Sequence, residues 1–435
     1  MSYNNHPHTG LPHTLERLPW LLFLFLAAVF FLSYHDLLYA KGGLDDSSID
    51  DSIARLVKGS LVHRIALSSL GIGAIVSLVR YRANRRLRIV GPLGWLLLGF
   101  VVWAFISPIW AADLPLTLKK LVPFGILCIA AVAVVRRLSV REIILWTFFS
   151  TGLFLLIGIF AEVLFGTFRP FASGYRFAGS LHPNAQGVEC GLLLLSAVAA
   201  SDIERRWRAL FWACAFLGFV FLILTRSRTA IAAAVLALVV YLVAVGSRRL
   251  KIAMACNFST TCCLLLLLFV AGLLPGLNSA IQLGRNDAGD ADTFTGRTMI
   301  WEDVGYYIHQ RPILGYGYCG FWTPTHINAI WGEVTSSHSA YIEYLLTLGI
   351  VGLVAYTSSL FAGIWRAFRF HRLSQNSSFV FCAALLVFGA LDGFLDVSMV
   401  EGSLLMFLCM VVLARLAFVP LQQNLWVGSE SRPNV

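Results

Sequence analysis

The chain has 435 residues, of which 58% are hydrophobic and 13% charged, and its mean hydropathy is +0.76. Soluble domains are about half apolar and about one-quarter charged, so this composition excludes an ordinary soluble protein and predicts a polytopic membrane protein. The formal net charge is +10, and its cations gather between apolar runs. We attribute them to membrane orientation and contact with anionic lipids, and expect no nucleic-acid partner.

Apolar runs long enough to cross about 30 Å of hydrocarbon recur along the chain. They predict an all-α integral membrane protein with about twelve transmembrane helices. We expect nine helices with short loops in residues 1–275, one larger external segment with amphipathic helices in 276–338, three more helices in 339–418 and a cytoplasmic tail in 419–435. The predicted helix centres are Phe25, Ala74, Phe100, Ile126, Phe154, Leu194, Phe219, Leu236, Leu265, Leu353, Leu386 and Met410.

Alternate loops carry the positive charge, and short basic loops stay on the cytoplasmic side of a membrane. Even numbers of predicted crossings separate these loops, so one topology satisfies all of them. Both termini are then cytoplasmic, and segment 276–338 lies on the opposite face. The basic loops contain the cations of 80–88, 136–141, 205–208, 248–251 and 366–372.

Arginines on the external face need a reason, because positive residues are depleted there. Arg226 and Arg228 join two long apolar runs with almost no loop, so both guanidiniums must lie at the membrane rim or in a polar cavity. Arginine suits a phosphate group because its planar fork donates two parallel hydrogen bonds and stays charged. The alternative for either residue is contact with lipid headgroups. Beyond the first loop, the external arginines are Arg169, Arg176, Arg226, Arg228, Arg285, Arg297 and Arg311.

Two further segments place polar groups on the same face. Arg176 precedes a helix start at which Asn184 is either a substrate ligand or an N-cap. Arg297 precedes a helix predicted over Thr298–Gln310, where its charge opposes the helix dipole and favours a bound anion. Arg311 follows that helix.

His338 lies where the polar segment meets a new apolar helix. A helix N-terminus disfavours imidazolium, which leaves a neutral base near pH 7. The alternative is a histidine satisfied by the neighbouring serines.

Two motifs suggest other chemistry. Gly315–Gly320 matches G-x-G-x-x-G, but no strand–turn–helix pattern surrounds it, so we predict a turn and no dinucleotide site. Asp287, Asp290 and Asp292 suit either a divalent cation or an exposed glycine-rich loop. We favour the loop, and predict no metal and no cofactor.

The run His338–Leu353 resembles the histidine motif of the O-antigen ligase and polymerase superfamily, with a histidine, an aromatic or leucine, and glycines that flank two aliphatic residues. Other signatures of that superfamily resemble further segments, in the same order. These are Arg226–Ala230, Gly296–Trp301 and Pro312–Gly317. The resemblance spans roughly Arg176 to Leu353.

The resemblance implies a fold related to GT-C-type membrane glycosyltransferases, in the inner membrane of a Gram-negative bacterium. It implies metal-independent, inverting transfer of a glycan from undecaprenyl diphosphate to a sugar hydroxyl of lipid A-core at the periplasmic face. His338 is then the catalytic base. Arg228, Arg297 and Arg226 bind the donor diphosphate, and Arg176, Arg311 and Asn184 are candidates for other substrate contacts.

A polymerase or a protein O-oligosaccharyltransferase of the same superfamily shares these features. We favour the ligase because polymerases commonly have two substantial periplasmic loops, whereas this chain has one long external segment. The alternative from another class is a lipid-linked glycan transporter, for which ionisable residues at mid-membrane are typical. The candidates are Glu189, Glu343, Asp392 and Asp396. Whether the two aspartates pair with an external arginine stays open.

Overall fold

The computed structural model describes residues 37–41, 61–80, 87–172, 174–246, 297–331, 334–400 and 402–421. Within these ranges all regular secondary structure is helical. The predicted helices centred near Phe25 and Leu265 lie outside the described residues, as do Arg285 and the aspartates Asp287, Asp290 and Asp292. The same holds for the part of segment 276–338 before Arg297 and for the tail beyond residue 421.

Eleven helices of fourteen or more residues occur in the described ranges, and each of the ten predicted helix centres in those ranges lies in one of them. Seven are long and apolar enough to cross a membrane, and three shorter helices are also apolar. The all-α membrane fold is therefore confirmed, while the total of about twelve crossings stays a prediction. The helices are α1 Leu61–Arg80, α2 Pro92–Ile106, α3 Leu114–Arg137, α4 Val140–Leu164, α5 Pro183–Ile203, α6 Arg208–Leu224, α7 Arg228–Val245, α8 Arg297–Gln310, α9 Ala340–Ser374, α10 Ser378–Asp392 and α11 Leu404–Phe418.

Helix α5 is the centre of the bundle. It is buried along almost its whole length and packs against α4, α6, α7 and α10. Small residues permit this close approach: a Cβ built on Gly187 would lie 3.1 Å from the Ala230 Cβ of α7, and one on Gly191 would lie 2.9 Å from the Phe388 ring of α10. Outward-facing aromatics such as Phe160 and Phe216 are 68% and 69% exposed, as suits a surface that meets lipid.

The helices place the predicted functional residues at one end of the bundle, which we call the site end. Asn184 and Arg228 lie in the first turns of α5 and α7, His338 directly precedes α9, and Asp392 ends α10. The Gly187–Ala230 approach brings the starts of α5 and α7 together. We call the opposite end, which carries the described cations of 136–141, 205–208 and 366–372, the basic end. It includes Arg137 at the end of α3.

Helix α9 is broken near the site end. Gly349 has a left-handed backbone (φ 67°), so residues 340–348 form a short separate helix before the long one. The turn after α8 inserts into the break: the Ile350 N–H donates to the Pro312 carbonyl oxygen at 2.9 Å, and the Tyr316 N–H donates to the Leu346 carbonyl oxygen at 3.1 Å. These bonds satisfy backbone groups that a helix break would otherwise leave unpaired in an apolar environment.

Candidate active site

The junction between α6 and α7 carries two of the predicted donor-binding arginines. Residues 225–227 alone separate the helices; Arg226 has a left-handed backbone (φ 51°), and Arg228 is the first residue of α7. The buried Thr225 hydroxyl donates to the Leu222 carbonyl oxygen at 2.7 Å, which stabilises the turn. Both arginine side chains are half-buried. The predicted tight connection is therefore present, with both guanidiniums at the site end.

Arg176 joins this junction to the segment before α5. Its Nε donates to the Thr225 carbonyl oxygen at 3.1 Å, and its Nη2 donates to Asn184 Oδ1 at 3.1 Å. The structure thus brings Arg176, Asn184, Arg226 and Arg228 together, and we call these four residues the arginine cluster. The alternative of Asn184 as an N-cap is wrong, because His182 is the N-cap of α5 and its Nδ1 accepts the N–H of Asn184 at 3.2 Å.

A buried acid, Glu162, binds the loop that carries Arg176 of the arginine cluster. Glu162, 3% exposed at the end of α4, accepts the N–H groups of Ala178 and Gly179 at 2.9 and 2.8 Å on one oxygen. Its other oxygen accepts the Tyr175 hydroxyl. Glu162 therefore fixes the loop on both sides of Arg176. Sequence reasoning missed it, although an ionisable residue inside an apolar run was an available signal.

His338 lies at the N-terminal end of α9 in a conformation that its residue type disfavours. Its φ is 52°, in the left-handed region that L-residues other than glycine rarely adopt. After it, the Ala340 N–H donates to the carbonyl oxygens of Gly393 and Asp396 at 2.8 and 3.0 Å. These bonds hold the histidine segment against the turn that follows α10.

The charge of Arg297 acts on His338. Burial and, second, this guanidinium lower the pKa of His338 from 6.5 to about 4, so the imidazole is neutral at pH 7. A neutral imidazole is the state that the sequence predicted. The causes differ from the prediction, however, since burial and Arg297 account for the shift rather than the helix dipole.

The same arginine acts on two carboxyl groups. Arg297 interacts electrostatically with Asp392 and Asp396, and burial raises the pKa of Asp396 while Arg297 opposes the rise. The open question about these aspartates is thereby answered: they lie near Arg297, the first residue of α8 and one of the arginines that the cation pattern predicts to be external. We call Arg297, His338, Asp392 and Asp396 the histidine cluster. Part of the negative charge that an arginine at a helix N-terminus favours comes from the protein itself.

The packing of α10 relates the two clusters. A Cβ on Gly191 would touch both Phe388 of α10 and Ala234 of α7, so these residues lie at one level of the bundle. One turn nearer the site end, about 6 Å along each helix, Gly187 meets Ala230 and Ser227. Asp392 is four residues beyond Phe388 and so lies at that second level, beside the start of α7. The arginine and histidine clusters therefore lie at the same end of the bundle.

Arg311 does not join either cluster. Its Nη1 donates to the Trp110 carbonyl oxygen at 3.3 Å, and its guanidinium lies 4.9 Å from the centre of the Tyr316 ring. Because α8 has fourteen residues, Arg311 lies about 20 Å from Arg297, at the other end of that helix. These contacts fit the anchoring of the turn after α8, and its predicted substrate contact is not supported by proximity to the other site residues.

The Gly315–Gly320 segment forms turns, as predicted, with Gly315 and Gly317 at positive φ. A Cβ on Gly315 would lie 2.5 Å from the Thr347 carbonyl carbon, so its close packing against α9 requires glycine. Among the described residues no group of three or more histidine, cysteine or acidic side chains is placed to hold a metal ion.

The fold and site define an all-helical, multi-pass membrane protein with arginines and a neutral histidine gathered at one end. Residues 213–357 match the family model described as O-antigen ligase. The chain is also 24% identical over 283 residues to the exopolysaccharide production protein ExoQ of Rhizobium meliloti (strain 1021), which covers 60% of this chain and 62% of that protein. The two findings confirm the predicted resemblance to the O-antigen ligase and polymerase superfamily.

The matched region coincides with part of the site. It contains Arg226, Arg228, Arg297 and His338. Arg176 and Asn184 precede it and the two aspartates of the histidine cluster follow it. The chain spans less than two thirds of the length of the curated relative.

Proposed function

We propose that this protein is an O-antigen ligase. It transfers a glycan from undecaprenyl diphosphate to a sugar hydroxyl of lipid A-core at the periplasmic face of a Gram-negative inner membrane. The observation that carries the proposal is the placement of a neutral, half-buried His338 beside Arg297, at the end of the bundle that also carries Arg226 and Arg228. Acid–base and anion-binding groups together suit an acceptor hydroxyl and a diphosphate leaving group.

The proposed reaction is a single displacement. The acceptor oxygen attacks the anomeric carbon while the bond from that carbon to the diphosphate oxygen breaks, which inverts the configuration. The hydroxyl proton passes to a ring nitrogen of His338, and the diphosphate leaves with the bonding electron pair. Arg228 and Arg297, with Arg226, stabilise the negative charge that develops on the leaving group. The arginines and the neutral imidazole supply both functions without a metal.

The described basic loops 136–141, 205–208 and 366–372 lie at the opposite end of the bundle, which favours the periplasmic assignment of the site because such loops stay cytoplasmic. An apolar cavity of about 240 Å³ also suits a lipid-linked substrate. It lies between α2, α3, α9 and α11, and its site end is formed by Tyr344 and Met399. Tyr344 is one helical turn from Ala340, which borders the histidine cluster. We assign the cavity to the polyprenyl chain of the donor.

The resemblance to an exopolysaccharide production protein favours a second candidate, a polymerase that takes another lipid-linked glycan as acceptor. A protein O-oligosaccharyltransferase is a third variant of the same chemistry, with a protein hydroxyl as acceptor. All three use the same donor and the same base.

A transfer assay distinguishes the first two candidates. The reconstituted protein is incubated with undecaprenyl-diphosphate-linked glycan, with and without lipid A-core. We expect glycosylated lipid A-core on a gel, equally in duplicates that contain EDTA. Longer lipid-linked glycan in the absence of lipid A-core would instead establish the polymerase. Absence of any product, with a protein that is folded and binds the donor, would refute the transferase and favour a transporter.

A further inference from the structure

Ser337, the residue before His338, is held by hydrogen bonds at both its N–H and its carbonyl oxygen. Ser337 is fully buried, and its N–H donates to Glu343 Oε2 at 3.2 Å. Its carbonyl oxygen accepts the Trp301 Nε1–H of α8 at 2.9 Å. Two side chains from different helices thus fix the backbone that leads into the histidine.

Glu343 is itself fully engaged. It lies in the first turn of α9, 3% exposed, and its second oxygen accepts the Trp322 Nε1–H at 2.7 Å. A carboxylate in this position joins α9, the 321–323 segment and Ser337 in one network. We call Glu343, Trp301 and Trp322 the serine clamp. Glu343 and Trp301 bind Ser337 directly, and Trp322 acts through Glu343.

The clamp has a physical task, because the backbone of His338 is strained. L-residues other than glycine rarely adopt a φ near +50°, and such a conformation persists only where the surroundings over-determine it. Here the clamp fixes residue 337, and the paired hydrogen bonds of Ala340 to Gly393 and Asp396 fix the chain beyond it. Without one of these supports, we expect the histidine segment to relax and the imidazole to turn away from Arg297.

We propose that Glu343 is a positioning residue for His338: through the serine clamp it holds the histidine in its left-handed conformation, with the imidazole facing Arg297 and the acceptor hydroxyl. The assignment of His338 as the base rests on the proposed function. The positioning itself is a statement about the conformation of His338, so it has a readout that needs no glycan transfer.

The test uses the full-length protein with Glu343→Gln. Glutamine keeps the size of the side chain but offers one acceptor oxygen for two N–H donors, so either Trp322 or Ser337 loses its partner. The matched control is Asp202→Asn at the basic end, where Asp202 Oδ2 accepts the Tyr241 hydroxyl at 2.9 Å. Both variants replace a carboxyl group by an amide of the same size and weaken a hydrogen bond, but Asp202 does not contact the site.

The first readout is the rate at which diethyl pyrocarbonate modifies His338, followed by mass spectrometry between pH 5 and 8. We expect the modification rate of His338 at pH 8 to be severalfold higher in Glu343→Gln than in the wild type. In that variant the modification rate should also fall as the pH drops through the pKa of an ordinary histidine. In the wild type and in Asp202→Asn the rate should stay level down to pH 5.5. The second readout is transfer: kcat should fall by about tenfold to a hundredfold in Glu343→Gln, with the donor KM nearly unchanged.

The outcomes separate the two proposals. Absence of transfer by the wild type, together with the expected labelling pattern, refutes the function and leaves the positioning role intact. Wild-type labelling and wild-type kcat per folded molecule in Glu343→Gln overturn the positioning role. If that variant does not fold, Trp301→Phe decides, because it removes the donor to the Ser337 carbonyl and keeps most of the ring packing: increased labelling supports the clamp, and unchanged labelling overturns it.

Discussion

The low pKa of His338 predicts an unusual pH profile for transfer. The pKa is about 4 in the free protein against 6.5 for an ordinary histidine. At pH 5.5 about 97% of a group with pKa 4 is neutral, whereas about 9% of an ordinary histidine is neutral. A base must be neutral to accept the acceptor proton, so activity should survive mild acid and fall only as the pH approaches the lowered pKa.

Binding of the donor should raise the pKa of His338. A diphosphate next to Arg297 offsets the second cause of the lowered pKa and adds negative charge beside the imidazole, so the pKa of His338 should rise in the complex. Because kcat/KM for the donor reports the free enzyme and kcat reports the complex, the acid limb of kcat should lie at higher pH than that of kcat/KM. The buried carboxyl groups of Asp392 and Asp396 belong to the same histidine cluster, and their ionisation would also raise the pKa of His338.

The assay is initial-rate transfer over pH 4.5–8, with donor concentration varied at each pH and stability of the protein verified after incubation. Arg297→Met serves as the comparison, since it removes the positive charge and should raise the pKa of His338 toward that of an ordinary histidine. Acid limbs of kcat and kcat/KM that coincide near pH 6.5 in the wild type would refute the reasoning.

Three further outcomes follow from the structure. His338→Ala should insert and fold normally and lower kcat by about 10²- to 10⁴-fold; transfer at the wild-type rate would exclude His338 as the base. Lysine in place of Arg228 or Arg297 should lower kcat/KM for the donor by about tenfold to a hundredfold, because an ammonium lacks the bidentate fork; full rescue by lysine would contradict phosphate recognition. Gly349→Ala should lower the free energy of unfolding by about 2 kcal/mol or more, and with it the thermal midpoint. The reason is that Gly349 has a φ of 67° and a Cβ there would lie 2.0 Å from a carbonyl oxygen. Gly99→Ala, where a Cβ meets open space in α2, should leave the midpoint unchanged or raise it.

Local patterns in the chain were sufficient for much of the fold. The apolar runs predicted every long apolar helix of the described ranges, because the hydrophobicity required to cross a bilayer is a property of consecutive residues. The tight Arg226–Arg228 connection and the helix that ends before Pro312 were also predictable, since turn and helix-stop signals are local. The cation pattern predicted an orientation for a similar reason, because the charge of each loop is also a local property of the sequence.

The neighbours of each site residue depended on tertiary packing. Asp392 and Arg297 are 95 residues apart in number, and they come near each other because α8 and α10 both pack against α9. Conversely, Arg311 stands close to Arg297 in the chain, yet a straight helix of fourteen residues separates them.

From the sequence alone, then, this protein is a multi-pass helical membrane protein with arginines and a histidine on one predicted face, because hydropathy, charge and motifs are read along the chain. The tertiary structure decided the left-handed backbone of His338, the burial and the nearby Arg297 charge that lower its pKa, and its support by Glu343 and Trp301. These depend on burial and on hydrogen bonds between elements that are distant in sequence, and no local pattern specifies which distant groups will meet.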